Sequence, residues 1–165
     1  MQYRNLKIED ANQFWELMNR LDHETKYMLY EPGERKKDIS HIESLIKDTI
    51  NRDDFLLVAE QEHTLVGYIS AQKGNLNRIK HSAYIVVGIL KDYRGQGIGT
   101  EFFKRLDQWA EEKEIIRLEL TVICENEVAK HLYSKNGFEI EGIKRKSVFV
   151  DGEYLDEFYM AKTRM

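Results

Sequence analysis

The sequence predicts an α/β fold, a mixed central sheet of about seven strands with helices on both faces. Three observations carry this prediction. Apolar residues alternate at period two in some stretches and recur at i, i+3, i+4 and i+7 in others, which gives the element order βααβββαβαββ. An apolar run, Ala83 to Leu90, leads through Tyr93-Arg94-Gly95-Gln96-Gly97-Ile98-Gly99-Thr100 into an amphipathic pattern from Ile98 to Lys113. Near the C-terminus, Asp151-Gly152 between two extended stretches marks a hairpin.

Each element has its own reason. Gln2 to Leu6 reads as a short edge strand. Asp10 is placed to cap a helix with Phe14, Leu17, Met18 and Leu21 on one face. Asp22 to Glu34 is polar, contains Pro32-Gly33, and reads as a loop. A second helix is expected from about Arg35 to Asn51, with Ile39, Ile42, Leu45, Ile46 and Ile50 inward. Phe55 to Glu60 and Leu65 to Gln72 form a hairpin about Gln61 to Thr64. After the polar turn Gly74 to Lys80, His81 to Leu90 reads as a central strand buried on both faces near its end. The next helix carries Phe102, Phe103, Leu106, Trp109 and Ala110 on one side. Ile116, Leu118, Leu120 and Val122 then alternate with Arg117, Glu119 and Thr121 as a strand. Asn126 is a helix N-cap, Asn136-Gly137 a helix stop, and the closing strands run Phe138 to Val150 and Tyr154 to Ala161.

Composition narrows the function classes. At 165 residues the chain is expected to be one domain, 1–165, with a real core. A formal net charge of -4 argues against general nucleic-acid binding, which needs a basic surface. One cysteine, Cys124, excludes an intrachain disulfide and a multi-cysteine zinc site. His23, His41, His63, His81 and His131 show no metal-ligand spacing, so no metal is expected. No apolar run reaches membrane-spanning length and no apolar leader opens the sequence, so the expected place is the cytoplasm.

The strand–glycine loop–helix unit is a phosphate-binding arrangement. Glycines at alternate positions let backbone N–H groups approach a ligand, and the helix beyond begins with unpaired donors and the positive end of its dipole. A P-loop needs Gly-Lys-Ser/Thr, and here Gly99 is followed by Thr100-Glu101. A dinucleotide fold needs G-x-G-x-x-G, and here the spacing is G-x-G-x-G, past mid-chain. The bland reading is a glycine turn that only joins strand to helix.

What the stretch Arg94-Gly95-Gln96-Gly97-Ile98-Gly99 resembles is the pyrophosphate loop of the GNAT N-acetyltransferases. A second stretch, Asn126-x-x-Ala129-x-x-Leu132-Tyr133-x-x-Asn136-Gly137-Phe138, is similar to the second signature of the same family, about 30 residues on. The tail from Gly142 to Met160, with Asp151-Gly152-Glu153-Tyr154, resembles a bacterial subgroup of ribosomal-protein and amino-acid N-acetyltransferases. The resemblance implies acetyl-CoA as cosubstrate and direct acetyl transfer to a primary amine. It implies a small-molecule acceptor, such as a free amino acid. A protein N-terminus or lysine, or a non-catalytic acyl-CoA-binding module, are the alternatives. It also implies a homodimer, for which the C-terminal hairpin aromatics Phe149, Tyr154, Phe158 and Tyr159 are available unless they only fill a sheet face.

Residue roles follow from the same resemblance. Backbone N–H groups of Gly95, Gln96, Gly97, Ile98, Gly99 and Thr100 hold the pyrophosphate. Arg94 adds charge or braces the loop, and the strand end at Ile89 pairs with the pantetheine arm. Asn126 bonds that arm or only caps its helix. Tyr133 is the general acid for the departing thiolate, or else a core tyrosine with its hydroxyl at the surface. Glu119 is one general-base candidate, with Glu60, His81 and Tyr84 as others. Cys124 lacks a His/Asn partner pattern and reads as packing. The run Lys144-Arg145-Lys146 reads as a solvated strand end, with the CoA 3′-phosphate or an acidic acceptor as its other use.

Overall fold

The computed structural model describes residues 1–164. The strands are β1 (Gln2–Asn5), β2 (Phe55–Gln61), β3 (Thr64–Lys73), β4 (Ser82–Ile89), β5 (Arg117–Ile123), β6 (Glu139–Val150) and β7 (Glu153–Thr163). The helices are α1 (Ala11–Glu24), α2 (Ile39–Asn51), α3 (Ile98–Glu112) and α4 (Glu127–Lys135). This is the predicted element order. The strands form one mixed sheet in the order β1-β2-β3-β4-β5-β7-β6. The backbone groups into two compact units, Met1–Gln72 with Val86–Phe102, and Lys73–Ile85 with the chain from Phe103 onward.

In the first unit, β1 pairs antiparallel with β2, and β2 with β3. Glu62 and His63 close that hairpin at φ +50° and +65°. Phe14, Leu17, Met18 and Leu21 of α1 are all buried, as their spacing predicts, and each contributes about 1.5–3 kcal/mol by leaving water. Phe14 meets Tyr68 edge-on at 5.1 Å between ring centroids. Gly88 allows a close approach: a Cβ there would stand 2.7 Å from a Leu21 methyl carbon. A side chain there would have to displace the end of the Leu21 side chain.

Three boundaries differ from expectation. Asp10 does not cap α1 with its side chain; its carboxylate accepts from the Lys7 N–H and from Arg4, after a short 3-10 turn at Ile8–Asp10. The first helix continues through Asp22 to Glu24, and the second begins at Ile39, where the Asp38 carboxylate accepts the His41 N–H. Residues 35–37 are instead held outside the helix by tertiary bonds. Arg35 is paired to the fully buried Asp22 at 2.7 Å, and the Trp15 indole N–H donates to the Lys36 carbonyl at 2.9 Å. On α2 the buried stripe is narrow, Ile42 and Ile46, while Leu45 and Ile50 stay exposed.

In the second unit, the first half of β4 runs parallel to β5, from Ser82↔Arg117 to Tyr84↔Glu119. β5 pairs antiparallel with β7, and β7 with β6. The last strand is therefore interior and β6 is the edge. Asp151 and Gly152, at φ +50° and +80°, form the predicted hairpin turn. Phe103, Leu106, Trp109 and Ala110 of α3 are buried. Leu118, Leu120 and Val122 of β5 are buried too, so the period-two reading holds there. Near the end of β4 Gly88 and Leu90 are buried and Val87 and Ile89 half-buried, while earlier in the strand Ala83 and Ile85 are buried and Tyr84 and Val86 are exposed. The open stretch of this strand is thus the one that carries Tyr84 and Val86.

Candidate functional site

The glycine loop belongs to the first unit. It starts where β4 ends, and the Leu90 N–H donates to the Val66 carbonyl at 2.9 Å to fix that end. Gly95 and Gly97 have φ of +74° and +84°, the left-handed region that disfavours a side chain. Apart from its own chain neighbours, no protein atom lies within 4 Å of a Cβ built at either. The glycines are thus required by backbone conformation, and the space beside them is open to a ligand. The first α3 hydrogen bond runs from the Glu101 N–H to the Gly97 carbonyl at 3.1 Å. Ile98, Gly99 and Thr100 precede it, so their N–H groups are the orphan donors of the first turn. They sit at the positive end of the helix dipole, as an anion site requires.

Two bonds brace this loop. The Arg94 Nε donates to the Ile89 carbonyl at 3.2 Å, and the Gln96 side-chain amide donates to the Asp92 carbonyl at 3.3 Å. Arg94 thereby folds back on the strand end rather than projecting away from it. Sequence reading did not find the third contact, from the Lys91 N–H to the Glu24 carboxylate at 2.8 Å. Glu24 lies 67 positions from Lys91, and no local pattern announces the bond.

Asn126 and Tyr133 belong to the second unit. The Asn126 side-chain oxygen accepts the Ala129 N–H at 3.2 Å, so this residue is the cap of α4. That bond uses the oxygen and leaves the amide NH2 group with its own donors, so capping does not preclude a ligand role. Tyr133 is buried, its ring 5.9 Å from Phe103 and 6.2 Å from Phe138. Gly137, at φ +92°, ends the helix and turns the chain so that Phe138 closes over Tyr133. The ring is thus packed between two phenylalanines.

The base candidates are placed differently. Glu119 is bound by Arg117 Nε at 2.6 Å, and the other face of the same guanidinium holds Glu141 at 2.6 and 3.1 Å. Arg117 holds the Glu141 carboxyl below the usual range. Glu60 is paired with Arg4 at 2.6 Å in the first unit. The Tyr84 hydroxyl and Thr121 Oγ1 lie 2.9 Å apart on the open face of the second unit. The His81 carbonyl accepts from the Ile116 and Arg117 N–H groups, while its side chain is exposed. Burial, and then the nearby Asp156, push the Cys124 thiol up, which keeps it protonated and unsuited to attack. Among the described residues, no group of three His, Cys, Asp or Glu side chains is arranged to hold a metal. No helix among them is long and apolar enough to cross a membrane.

Comparison with known proteins decides the family. The model of the acetyltransferase (GNAT) family matches residues 15–138, spanning the glycine loop and α4. The chain belongs to this family. It is an N-acetyltransferase that takes its acyl group from acetyl-CoA. The L-amino acid N-acetyltransferase AaaT of Escherichia coli K12 is 31% identical over 112 residues, 66% of this chain and 67% of its own. The spermidine N(1)-acetyltransferase of the same organism is 27% identical over 158 residues, 95% of this chain and 82% of its own. A crystal structure of a GNAT acetyltransferase from Streptococcus pneumoniae superposes with a TM-score of 0.94 at 25% identity, covering 99% of both chains. The seven-stranded GNAT fold and the enzyme class are therefore as the two signatures imply.

Proposed function

We propose that this N-acetyltransferase acetylates the primary amine of a small molecule, with a free amino acid as the first acceptor class. The observation that carries this reading is the 31% identity to an L-amino acid N-acetyltransferase over two thirds of each chain. In this reading the two compact units work as one domain. The backbone N–H groups of Gly95 to Thr100 hold the pyrophosphate, with Arg94 bracing them. The β4 end at Ile89 pairs with the pantetheine arm, and the Asn126 amide NH2 bonds the same arm while its oxygen caps α4. Acetyl-CoA supplies an activated thioester: the amine nitrogen forms a bond to the acetyl carbon, the carbon–sulfur bond breaks, and the amine gives up a proton. Tyr133 donates the proton that the departing thiolate takes up. Glu119 is the base candidate of this scheme, and its pairing with Arg117 makes it a weak one. The enzyme works in the cytoplasm as a homodimer, a reading supported by exposed aromatics Phe149, Tyr154 and Tyr159 on the C-terminal hairpin.

The test is acetyl-CoA-dependent thiol release with free amino acids, polyamines, aminoglycosides and short peptides. Release with amino acids alone is the expected result. Release with polyamines alone moves the acceptor class to that of the spermidine relative. Release with peptides alone makes the acceptor a protein N-terminus or lysine. Binding of acetyl-CoA with no release from any amine, and none from a protein extract, leaves a binding module.

A further inference from the structure

Strand β6 is one edge of the sheet, and an edge presents a row of unpaired N–H and C=O groups to any strand that fits. We propose that residues 139–144 of β6 pair antiparallel with the same residues of a second copy, about a two-fold axis between Glu141 and Gly142. This rests on the homodimer reading above and gives that dimer its seam.

The register of β6 on β7 fixes which side each residue takes, because directly opposed residues share a face. Ile140 opposes Met160 and Ile143 opposes Phe158. Lys130 of α4 lies over the Phe158 ring, so both isoleucines are on the α4 side. Glu139 opposes Ala161, Gly142 opposes Tyr159 and Lys144 opposes Glu157, all on the other side. In a regular strand, residues 140 and 143 would point to opposite faces. The bulge between Ile140 and Gly142 removes that difference. The six residues then read the same way from either end, and a two-fold axis brings Ile140 against Ile143 and Glu139 against Lys144, each twice.

Charge and exposure agree with this register. Ile140 and Ile143 are 53% and 57% exposed. Glu139 and Lys144 are exposed and, among the described residues, form no ion pair within the chain. Pairing completes a ladder of alternating sign, Glu157, Lys144, then Glu139 of the second copy. A charged and bulged edge ordinarily blocks association; here unlike charges meet across the axis. The length of the seam is also set. A second bulge follows Lys144, and Lys146, at φ +50°, turns its N–H back to the Asp156 carboxylate at 2.8 Å. Beyond Lys144 the edge is no longer straight enough to pair.

Six residues make a short seam, so the dimer is expected to dissociate on dilution. Sedimentation equilibrium of the full chain across a wide concentration range reads this directly. Glu139→Lys and Lys144→Glu each place like charges opposite one another twice, and each is expected to weaken the dimer by about tenfold or more. The double variant E139K/K144E restores unlike pairs and is expected to return to within about threefold of the wild type. Thermal unfolding of each variant separates a lost seam from a lost fold, and Glu139, opposite Ala161, has no charge partner within the chain to disturb. A wild type that stays monomeric overturns both the seam and the dimer. A dimer that ignores both reversals, or is weakened by them and not rescued by the double variant, overturns the seam and leaves the dimer standing. Residues 139 and 144 lie outside the glycine loop and α4, so neither result bears on the acceptor.

Discussion

The glycine loop and α4 are the two signature stretches of this enzyme, and they are built from opposite materials. The loop is exposed, and its function lies in backbone: Gly95 and Gly97 are left-handed, and the donors are N–H groups at the start of α3. Helix α4 is committed through side chains, with Asn126 bonded to its own first turn and Tyr133 packed between Phe103 and Phe138. The difference shows where each stretch is vulnerable. The loop is sensitive to conformation and indifferent to most side-chain chemistry, whereas α4 is sensitive to single atoms.

The largest expected effect tests α4 by one atom. Tyr133→Phe keeps the ring and removes the hydroxyl. Turnover is expected to fall about 100-fold, with the KM for acetyl-CoA within about twofold of the wild type. Steady-state kinetics across pH give both numbers. A variant with unchanged turnover at every pH would return Tyr133 to the core and end its role as acid.

The loop calls for the converse test. Gly97→Val puts a β-branched residue at φ +84°, where strain of about 1–3 kcal/mol is expected. Acetyl-CoA affinity measured by calorimetry should drop by about tenfold or more as the loop relaxes away from its binding shape. Gln96→Ala, which removes only a side chain, is expected to change affinity by no more than about twofold. Equal losses from the two substitutions would mean that the loop is read through side chains after all.

A third test separates the two roles proposed for Asn126. Asn126→Ala removes the cap and is expected to cost about 1 kcal/mol of stability in a denaturant titration. Asn126→Asp retains a capping oxygen and loses the NH2 donors. If the amide also bonds the pantetheine arm, Asp restores stability but not acetyl-CoA affinity. Restoration of both by Asp would confine the residue to capping.

The same contrast explains what was legible in the sequence. Gly95, Gly97, Gly137 and Asp151-Gly152 were readable because a positive φ admits few residue types, so their identity reports backbone shape directly. Phe103, Leu106 and Trp109 were readable because burial imposes a period. The start of α2 was not readable. Arg35 has no local reason to leave the helix; it leaves because Asp22, thirteen residues earlier, is buried and needs a cation. The exposure of Tyr84 and Val86 is not legible either, because an apolar strand does not announce which of its faces a helix covers. The general base stayed hidden for a related reason: Glu119 looks like a free carboxylate until Arg117, two residues away, is seen to hold it.

Two arginine forks extend the comparison to the smallest effects. Arg4 bridges Asp10 and Glu60 at 2.7 and 2.6 Å in a half-covered setting, while Arg117 bridges Glu119 and Glu141 in the open. Hydrogen bonding from Arg4 holds the Asp10 carboxyl below the usual range. A depressed carboxylate contributes stability above its unfolded value, and that contribution is lost as pH falls through the folded value. Arg4→Met is therefore expected to cost roughly 1 kcal/mol at pH 7, and to flatten the loss of stability below about pH 4. The direction is the same at Glu141, but that carboxylate is exposed and water screens the pair. Arg117→Met should change stability at pH 7 by no more than about 0.5 kcal/mol. Its informative readout is turnover. If Glu119 is the base, releasing it from Arg117 moves the acid limb of kcat/KM, and Glu119→Gln abolishes that limb. If both substitutions leave the profile unmoved, the fork is only surface structure, and the Tyr84–Thr121 hydroxyl pair becomes the next base candidate to replace.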